Sequence, residues 1–321
     1  MRGSRAQGSF FWISTRGAGP LRKVRGLNGL AGFLYWGLHR GSQASVITPK
    51  SPAAWRAGPC TIDHSLSCFR ITLAYDGTAY AGWQFQPDLP TIQGTLEQAL
   101  QKIVGSLARI SGSGRTDAGV HAWGQVASFR CDTRLSPEVL CRALNAHLPG
   151  DIHIREARQV PDRFHATRDA VSKRYVYRIQ DGPERDLFAR TITWHIPRRL
   201  DLTAMQAAAR CLVGRHDFRS FEAVGAPRKT SVRTILELTL QRVPRGDLNP
   251  LEIAVEADGF LYNMVRNIVG SLVLVGKGEQ PPEWLSQVLA AMDRNEAGPT
   301  APALGLTLWC VRYPDDEAGE G

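Results

Sequence analysis

Between Phe69 and Arg158 the spacing of apolar residues runs through strand, helix, strand, strand, helix and strand, and that order leaves few folds open. Phe69, Ile71, Leu73 and Tyr75 alternate with Arg70, Thr72 and Ala74, the period of a half-buried strand, and Asp76-Gly77-Thr78 supplies its turn. Ile92, Leu96, Leu100, Ile103, Val104 and Leu107 then recur every three or four residues, which predicts an amphipathic helix of about four turns. A short strand over 109–111 and another over 124–130 follow. Ser136 as N-cap with Pro137 behind it announces a second helix, and a strand over 152–158 closes the series. This is the order of a ferredoxin-like α+β unit.

Inside that unit, Gly112 to Ala122 reads G-S-G-R-T-D-A-G-V-H-A. Glycines and a threonine bend the backbone into a tight loop, and Arg115 and Asp117 sit two residues apart among small side chains. Two readings fit. Asp117 caps local N–H groups in an Asx-type turn beside a solvated Arg115, or both are polar groups held at a sheet edge or in a cleft.

A second run of elements follows. Lys173 to Ile179 alternates, with Tyr175, Tyr177 and Ile179 on one face and Arg174, Val176 and Arg178 on the other. A helix over 202–213 is capped by Asp201 and ended by Gly214. Strands over 232–242 and 251–257 follow, joined by a turn-rich connection. From Phe260 a helix carries Leu261, Met264, Val265, Ile268, Val269, Leu272, Val273 and Val275 around most of its circumference, so it is largely buried. Its one polar stripe is Asn263, Arg266, Asn267 and Gly270. An unpaired buried guanidinium costs several kcal/mol, so Arg266 is expected to look into a cleft and meet an acid or a phosphate there. Pro282 to Met292 reads as a short helix and Leu306 to Tyr313 as the last strand.

Two basic segments are candidate RNA contacts. Val160 to Arg168 packs Arg163, His165 and Arg168 around Phe164 with no regular period; it suits phosphate and base contact, or a solvated loop with Phe164 tucked beneath. Arg228, Lys229 and Arg233 lie within six positions.

Several of these stretches resemble the TruA family of tRNA pseudouridine synthases. Tyr75 to Gln86 (Y-D-G-T-A-Y-A-G-W-Q-F-Q), Gly114 to Ala122, the F-H-A segment at 164–166, the K-R-Y-V-Y-R-I strand and Phe260 to Asn267 (F-L-Y-N-M-V-R-N) are among about seven segments in matching order, spread over residues 69–313. The resemblance implies an α+β pseudouridine synthase fold, in which two ferredoxin-like halves with antiparallel sheets flank a central RNA-binding cleft. The halves are expected at 69–168, carrying the catalytic loop, and 169–314. It further implies Asp117 as nucleophile, Arg266 as its salt-bridge partner and Tyr175 stacking on the target uracil; Arg115, two residues from Asp117, is a candidate for base flipping, to fill the gap left in the helix or to hold its phosphate. Phe164, His165, Ala166, Thr167, Arg168, Arg228 and Lys229 would touch tRNA. The implied substrate is the tRNA anticodon stem-loop, around positions 38, 39 and 40, and the implied active form is a homodimer. Isomerising uridine breaks the C1′–N1 bond and joins C5 to C1′ without redox change, so no cofactor is expected.

Composition agrees with an ordinary globular protein: 43% hydrophobic and 21% charged residues, and no apolar run long enough to span a membrane. The formal net charge of +9 is misleading as a guide to RNA binding. Residues 1–68 hold nine of the 39 basic residues and one of the 30 acids, so the remainder is near neutral and only local basic clusters carry that argument. Residues 1–68 read as a basic leader: disordered, a targeting sequence, an RNA-attracting tail, or an artefact preceding a true start near Val46 or Leu66. Residues 315–321 read as an acidic, disordered tail. The six cysteines show no C-x-x-C pair, which points to reduced thiols, a cytoplasmic protein (or an organellar one if the leader is a transit peptide) and no metal. Two rivals stand beside the synthase: a non-catalytic tRNA-binding or RNA-folding protein on the same fold, and a hydrolase using Asp117, which lacks a second acid, a metal set or a Ser/Cys-His arrangement nearby, since His121 alone does not supply one.

Overall fold

The computed structural model describes residues 66–223, 225, 230–244 and 249–314. The leader up to residue 65, the tail, and Arg228 and Lys229 lie outside the described residues.

The first half consists of β1 (Ser67–Tyr75), α1 (Ile92–Val104), β2 (Ser111–Gly112), β3 (His121–Cys131), α2 (Pro137–His147) and β4 (Ile152–Val160). Local chemistry accounts for the helix limits. The Thr91 side chain accepts from the Gly94 N–H at the start of α1, and Gly105 ends it in the left-handed conformation (φ 75°), so Leu107 falls outside the helix and is exposed. Ser136 caps α2 by accepting from Val139 N–H, with Pro137 in the first turn. Phe69, Ile71 and Leu73 of β1 pack with Ile92, Leu96 and Leu100 of α1 in one core. The strand expected over 109–111 forms two residues later, as β2.

The second half consists of β5 (Ser172–Asp181), β6 (Trp194–Ile196), α3 (Leu202–Ala209), β7 (Gly214–Asp217), β8 (Val232–Arg242), β9 (Leu251–Ala257), α4 (Met264–Gly276), α5 (Trp284–Ala291) and β10 (Leu306–Arg312). One element is not anticipated from the sequence, and one expectation needs correction. The short β6, which pairs in parallel with β5, has no alternation long enough to mark it. Helix α4 starts at Met264 rather than Phe260, because Asn263 takes a left-handed conformation (φ 59°) that breaks the helical path.

The principal strands of each half pair antiparallel and are arranged alike: β4-β1-β3-β2 in the first and β10-β5-β9-β8 in the second. The halves share one sheet. One edge of β3 is taken by β1, and its other edge is divided: His121 and Ala122 pair in parallel with Thr307 and Leu308 of β10, while Ala127 and Ser128 pair with β2. Gly124 stands between these pairings. A Cβ there would lie 2.5 Å from the Trp309 carbonyl oxygen, so only glycine permits β10 to approach so closely. Beyond that point β2 and β10 diverge, and the chain leaving β2 forms the wall of a cleft.

Candidate active site

Residues 113–120 bridge β2 and β3 at this fork. Ser113 Oγ donates to Gln125 Oε1 (2.7 Å), and Gln125 Nε2 donates to the Gly114 carbonyl (2.9 Å). Tyr75 and Thr116 share a hydrogen bond (2.8 Å), and Trp83 N–H donates to the Thr116 carbonyl (2.9 Å). From the other side the chain after β1 presses on the loop: a Cβ on Gly77 would meet the Val120 carbonyl oxygen at 2.0 Å, and one on Gly82 the Thr116 carbonyl oxygen at 2.6 Å. The loop is therefore held by buried partners on both sides of Asp117, which restricts the direction of that side chain.

That side chain meets Arg266 of α4. Arg266 Nη1 donates to Asp117 Oδ2 (3.2 Å) and to Asn263 Oδ1 (3.0 Å), while Nε donates to the Ala301 carbonyl (2.8 Å). Three acceptors on three segments aim one guanidinium at one carboxylate across the two halves. Burial pushes the Asp117 carboxyl above its ordinary pKa and Arg266 restrains that rise. Of the two influences, desolvation is the larger.

Of the polar stripe on α4, Asn263 and Arg266 reach the cleft. Asn267 is fully buried, donating to the Phe221 carbonyl (2.8 Å) and accepting from Thr300 Oγ1 (2.6 Å). At Gly270 a Cβ would lie 1.7 Å from the Pro299 carbonyl oxygen. The lower stripe thus docks residues 298–301, the segment that delivers the Ala301 carbonyl to Arg266.

Tyr175 projects from β5 into the same cleft, edge-on to Phe260 with ring centroids 5.0 Å apart. Burial raises the pKa of its phenol, with Tyr75 and Asp117 adding to the rise. Arg115 is exposed on the cleft wall. The cleft, of about 1220 Å³, holds more than a single base.

The 164–168 segment divides. Phe164 and Ala166 turn inward: Phe164 packs on Tyr313 with centroids 5.2 Å apart, and Ala166 is fully buried, its N–H bonded to Ser128 Oγ and its carbonyl to Tyr313 O–H. These two support the segment rather than face a ligand, as the tucked reading of Phe164 had it. His165 and Thr167 line the cleft, and Arg168 is exposed outside that lining. His121 bonds away from Asp117, to Gly77 N–H, Asp76 and the carbonyls of Thr191 and Leu304, so it adds nothing to the hydrolase reading. Lys173 is a cleft residue that the motifs did not single out: its Nζ donates to the Ser113 carbonyl (2.6 Å). The two-residue spacing from Tyr175, which puts both on one face of β5, is the signal that finds it.

A mixed α+β scaffold that carries an arginine-paired aspartate beside a tyrosine in a basic cleft defines a class, and comparison with known proteins agrees: the chain belongs to the tRNA pseudouridine synthase family, an isomerase family, which it matches over residues 71–168 and 208–314. It is similar to tRNA pseudouridine synthase A of Methylacidiphilum infernorum (46% identity over 250 residues, 78% of this chain and 96% of that one). It is also similar to the proteins of that name from Brevibacillus brevis (45% identity, 76% of this chain and 98% of that one) and Syntrophotalea carbinolica (43% identity, 80% and 100%). Among the described residues no helix is long and apolar enough to cross a membrane.

Proposed function

We propose that this chain isomerises uridine to pseudouridine in the anticodon stem-loop of tRNA, around positions 38, 39 and 40, with Asp117 as nucleophile. The observation that carries the reading is the Asp117–Arg266 pair at 3.2 Å, set in a cleft beside Tyr175. A target base stacked in an RNA stem has to leave the helix before side chains can act on it. Unstacking costs a few kcal/mol, and stacking on Tyr175 returns about 1 to 3 kcal/mol of it. Arg115, exposed on the wall two residues from Asp117, fills the gap left in the stem or holds its phosphate. His165, Thr167 and Arg168 meet the flanking backbone.

Once the nucleotide is in place, the ionised Asp117 adds covalently to the sugar or the base. The C1′–N1 bond breaks, the uracil rotates, C5 joins C1′, the proton on C5 is lost and N1 gains one, and the carboxylate is released. Arg266 favours the charged form of the carboxyl against the burial that raises its pKa.

The active form is a homodimer. Apolar side chains open to solvent support this: Phe188 and Leu187 at a loop tip (93% and 63% exposed) and the stacked pair Trp123 and Trp309 at the seam of the two halves. The five described cysteines are all free thiols, which suits a reducing compartment such as the cytosol.

Pseudouridine mapping by carbodiimide labelling and primer extension, on an unmodified tRNA incubated with wild type or Asp117→Asn, tests the reading. New label in the anticodon stem with wild type alone is expected. Binding without label from either protein would replace the enzyme with an RNA-binding protein.

A further inference from the structure

The hydrogen bonds behind the Asp117 loop form a chain with a direction, and the direction ends in the cleft. The Gly114 carbonyl can only accept, so the Gln125 amide turns Nε2 towards it (2.9 Å), which leaves Oε1 to accept from Ser113 Oγ (2.7 Å). The second N–H of that amide is directed to the Tyr75 phenol oxygen (3.4 Å). Tyr75 then has one acceptor left for its own proton, Thr116 Oγ1 at 2.8 Å. Burial pushes the Tyr75 phenol up to about 12, so it keeps that proton at neutral pH.

Thr116 Oγ1 therefore accepts, and its own O–H is left over. Among the described residues Tyr75 is the one partner of that hydroxyl. The opposite polarity, with Thr116 donating to Tyr75, would strand the phenol proton beside the Gln125 amide. Tyr75 and Gln125 are both buried and stand outside the cleft lining, so nothing that enters the cleft could accept it there. A buried donor without an acceptor costs more than a hydrogen bond gains, so the chain runs from Ser113 through Gln125 and Tyr75 to Thr116. Thr116 does line the cleft, one residue before Asp117, and its carbonyl is held by Trp83 N–H (2.9 Å). The spare proton thus belongs to the one member at the end of the chain that a ligand can reach.

We infer that Thr116 is a further substrate-binding residue, whose hydroxyl donates to an oxygen of the target nucleotide beside Asp117. The inference rests on the proposed synthase reading. A uridine offers the carbonyls of its base and the 2′ hydroxyl of its ribose as acceptors. Ser113, Gln125 and Tyr75 are positioning residues that orient the donor before the RNA arrives.

The test first removes any bracing role. In Tyr75→Phe the bond to Thr116 is gone but the Thr116 hydroxyl remains. Adding Thr116→Val to that variant deletes the hydroxyl without leaving a protein partner unmatched, and adding Thr116→Ser keeps it. Single-turnover pseudouridine formation on an unmodified tRNA transcript, with enzyme in excess, gives each protein's rate constant divided by its half-saturating concentration. Enzyme is counted as RNA-binding sites by titration, so a misfolded fraction does not imitate a loss. The valine double variant is expected to fall roughly 3- to 10-fold below Tyr75→Phe, the value of one hydrogen bond, and the serine double variant to stay level with it. A valine double variant equal to Tyr75→Phe would overturn the inference and leave Thr116 as a brace for the loop. Where the loss is seen, a transcript with 2′-deoxyuridine at the target site identifies the acceptor: a 2′ hydroxyl acceptor erases the valine effect and a base carbonyl preserves it. Wild type that binds the transcript yet forms no pseudouridine would instead sink the parent reading.

Discussion

Asp117 is held between two opposing influences, and its protonation is where the chemistry is most exposed to change. Burial raises its pKa and Arg266 lowers it. The proposed nucleophile is the ionised form, so activity is lost as pH falls through that pKa. Removing Arg266 raises the pKa, so Arg266→Leu moves the acid limb of the pH–rate profile to higher pH, and turnover at pH 7 drops on the order of 10- to 100-fold. A limb that stays in place while turnover falls would assign Arg266 to positioning alone. Tyr175 makes a separate demand, for a ring rather than a phenol. Tyr175→Phe is expected to stay near wild type in single-turnover rate, and Tyr175→Leu to lose roughly 10- to 100-fold, the value of one base stack. Both residues stand out in the chain itself, Arg266 as the single cation in an apolar helix and Tyr175 through the family motif. Their partners do not, because the Asn263 amide and the Ala301 carbonyl are brought to Arg266 by backbone geometry that no periodicity encodes.

At the scale of elements, α4 does two things with one stripe. Its upper part presents Arg266 to the cleft and its lower part docks residues 298–301, and the second task sustains the first through the Ala301 carbonyl. Gly270→Ala forces a Cβ onto the Pro299 carbonyl oxygen. Overpacking of about 1 to 3 kcal/mol should lower Tm on the order of 2 to 10 °C, with a loss of turnover larger than the stability loss explains. Thermal melts alongside single-turnover assays at low temperature would separate the two; equal losses would remove the link to Arg266. The longer elements were legible in advance, since β1 and β9 alternate apolar with polar or small residues and α2 carries both its cap and its proline. Less legible were β2 and β6, two and three residues long, which exist because a neighbouring strand offers an edge. Likewise, the start of α4 is set by the left-handed Asn263, where apolar spacing alone continues back to Phe260.

Across the whole molecule, the second half is tied together at Asp181, whose side chain is fully buried. It accepts two bonds from Arg242 (2.6 and 2.8 Å) and one from Leu200 N–H (2.8 Å), with Arg199 at 3.4 Å. Burial pushes its pKa up, but these partners outweigh it and hold the carboxyl below the ordinary range. A carboxyl depressed in the folded state contributes stability that is present above the unfolded pKa, about 4, and is lost as pH falls through the folded value. Tm is therefore expected to decline on acidification below about pH 4. Asp181→Asn should flatten that decline while costing about 3 to 5 kcal/mol at neutral pH, because it leaves Arg242 unmatched; an unaltered Tm–pH curve in the variant would place the acid sensitivity elsewhere. The fork at β3 has a consequence of a different kind. Both lips of the cleft hang from the same edge of one strand, so prising them apart means tearing that strand's own ladder. On the proposed function, a cleft hung in this way acts as a fixed gauge, so the compliance needed for entry is expected to come from the RNA: a stem stiffened by cross-linking is expected to be modified more slowly than a flexible one of the same sequence.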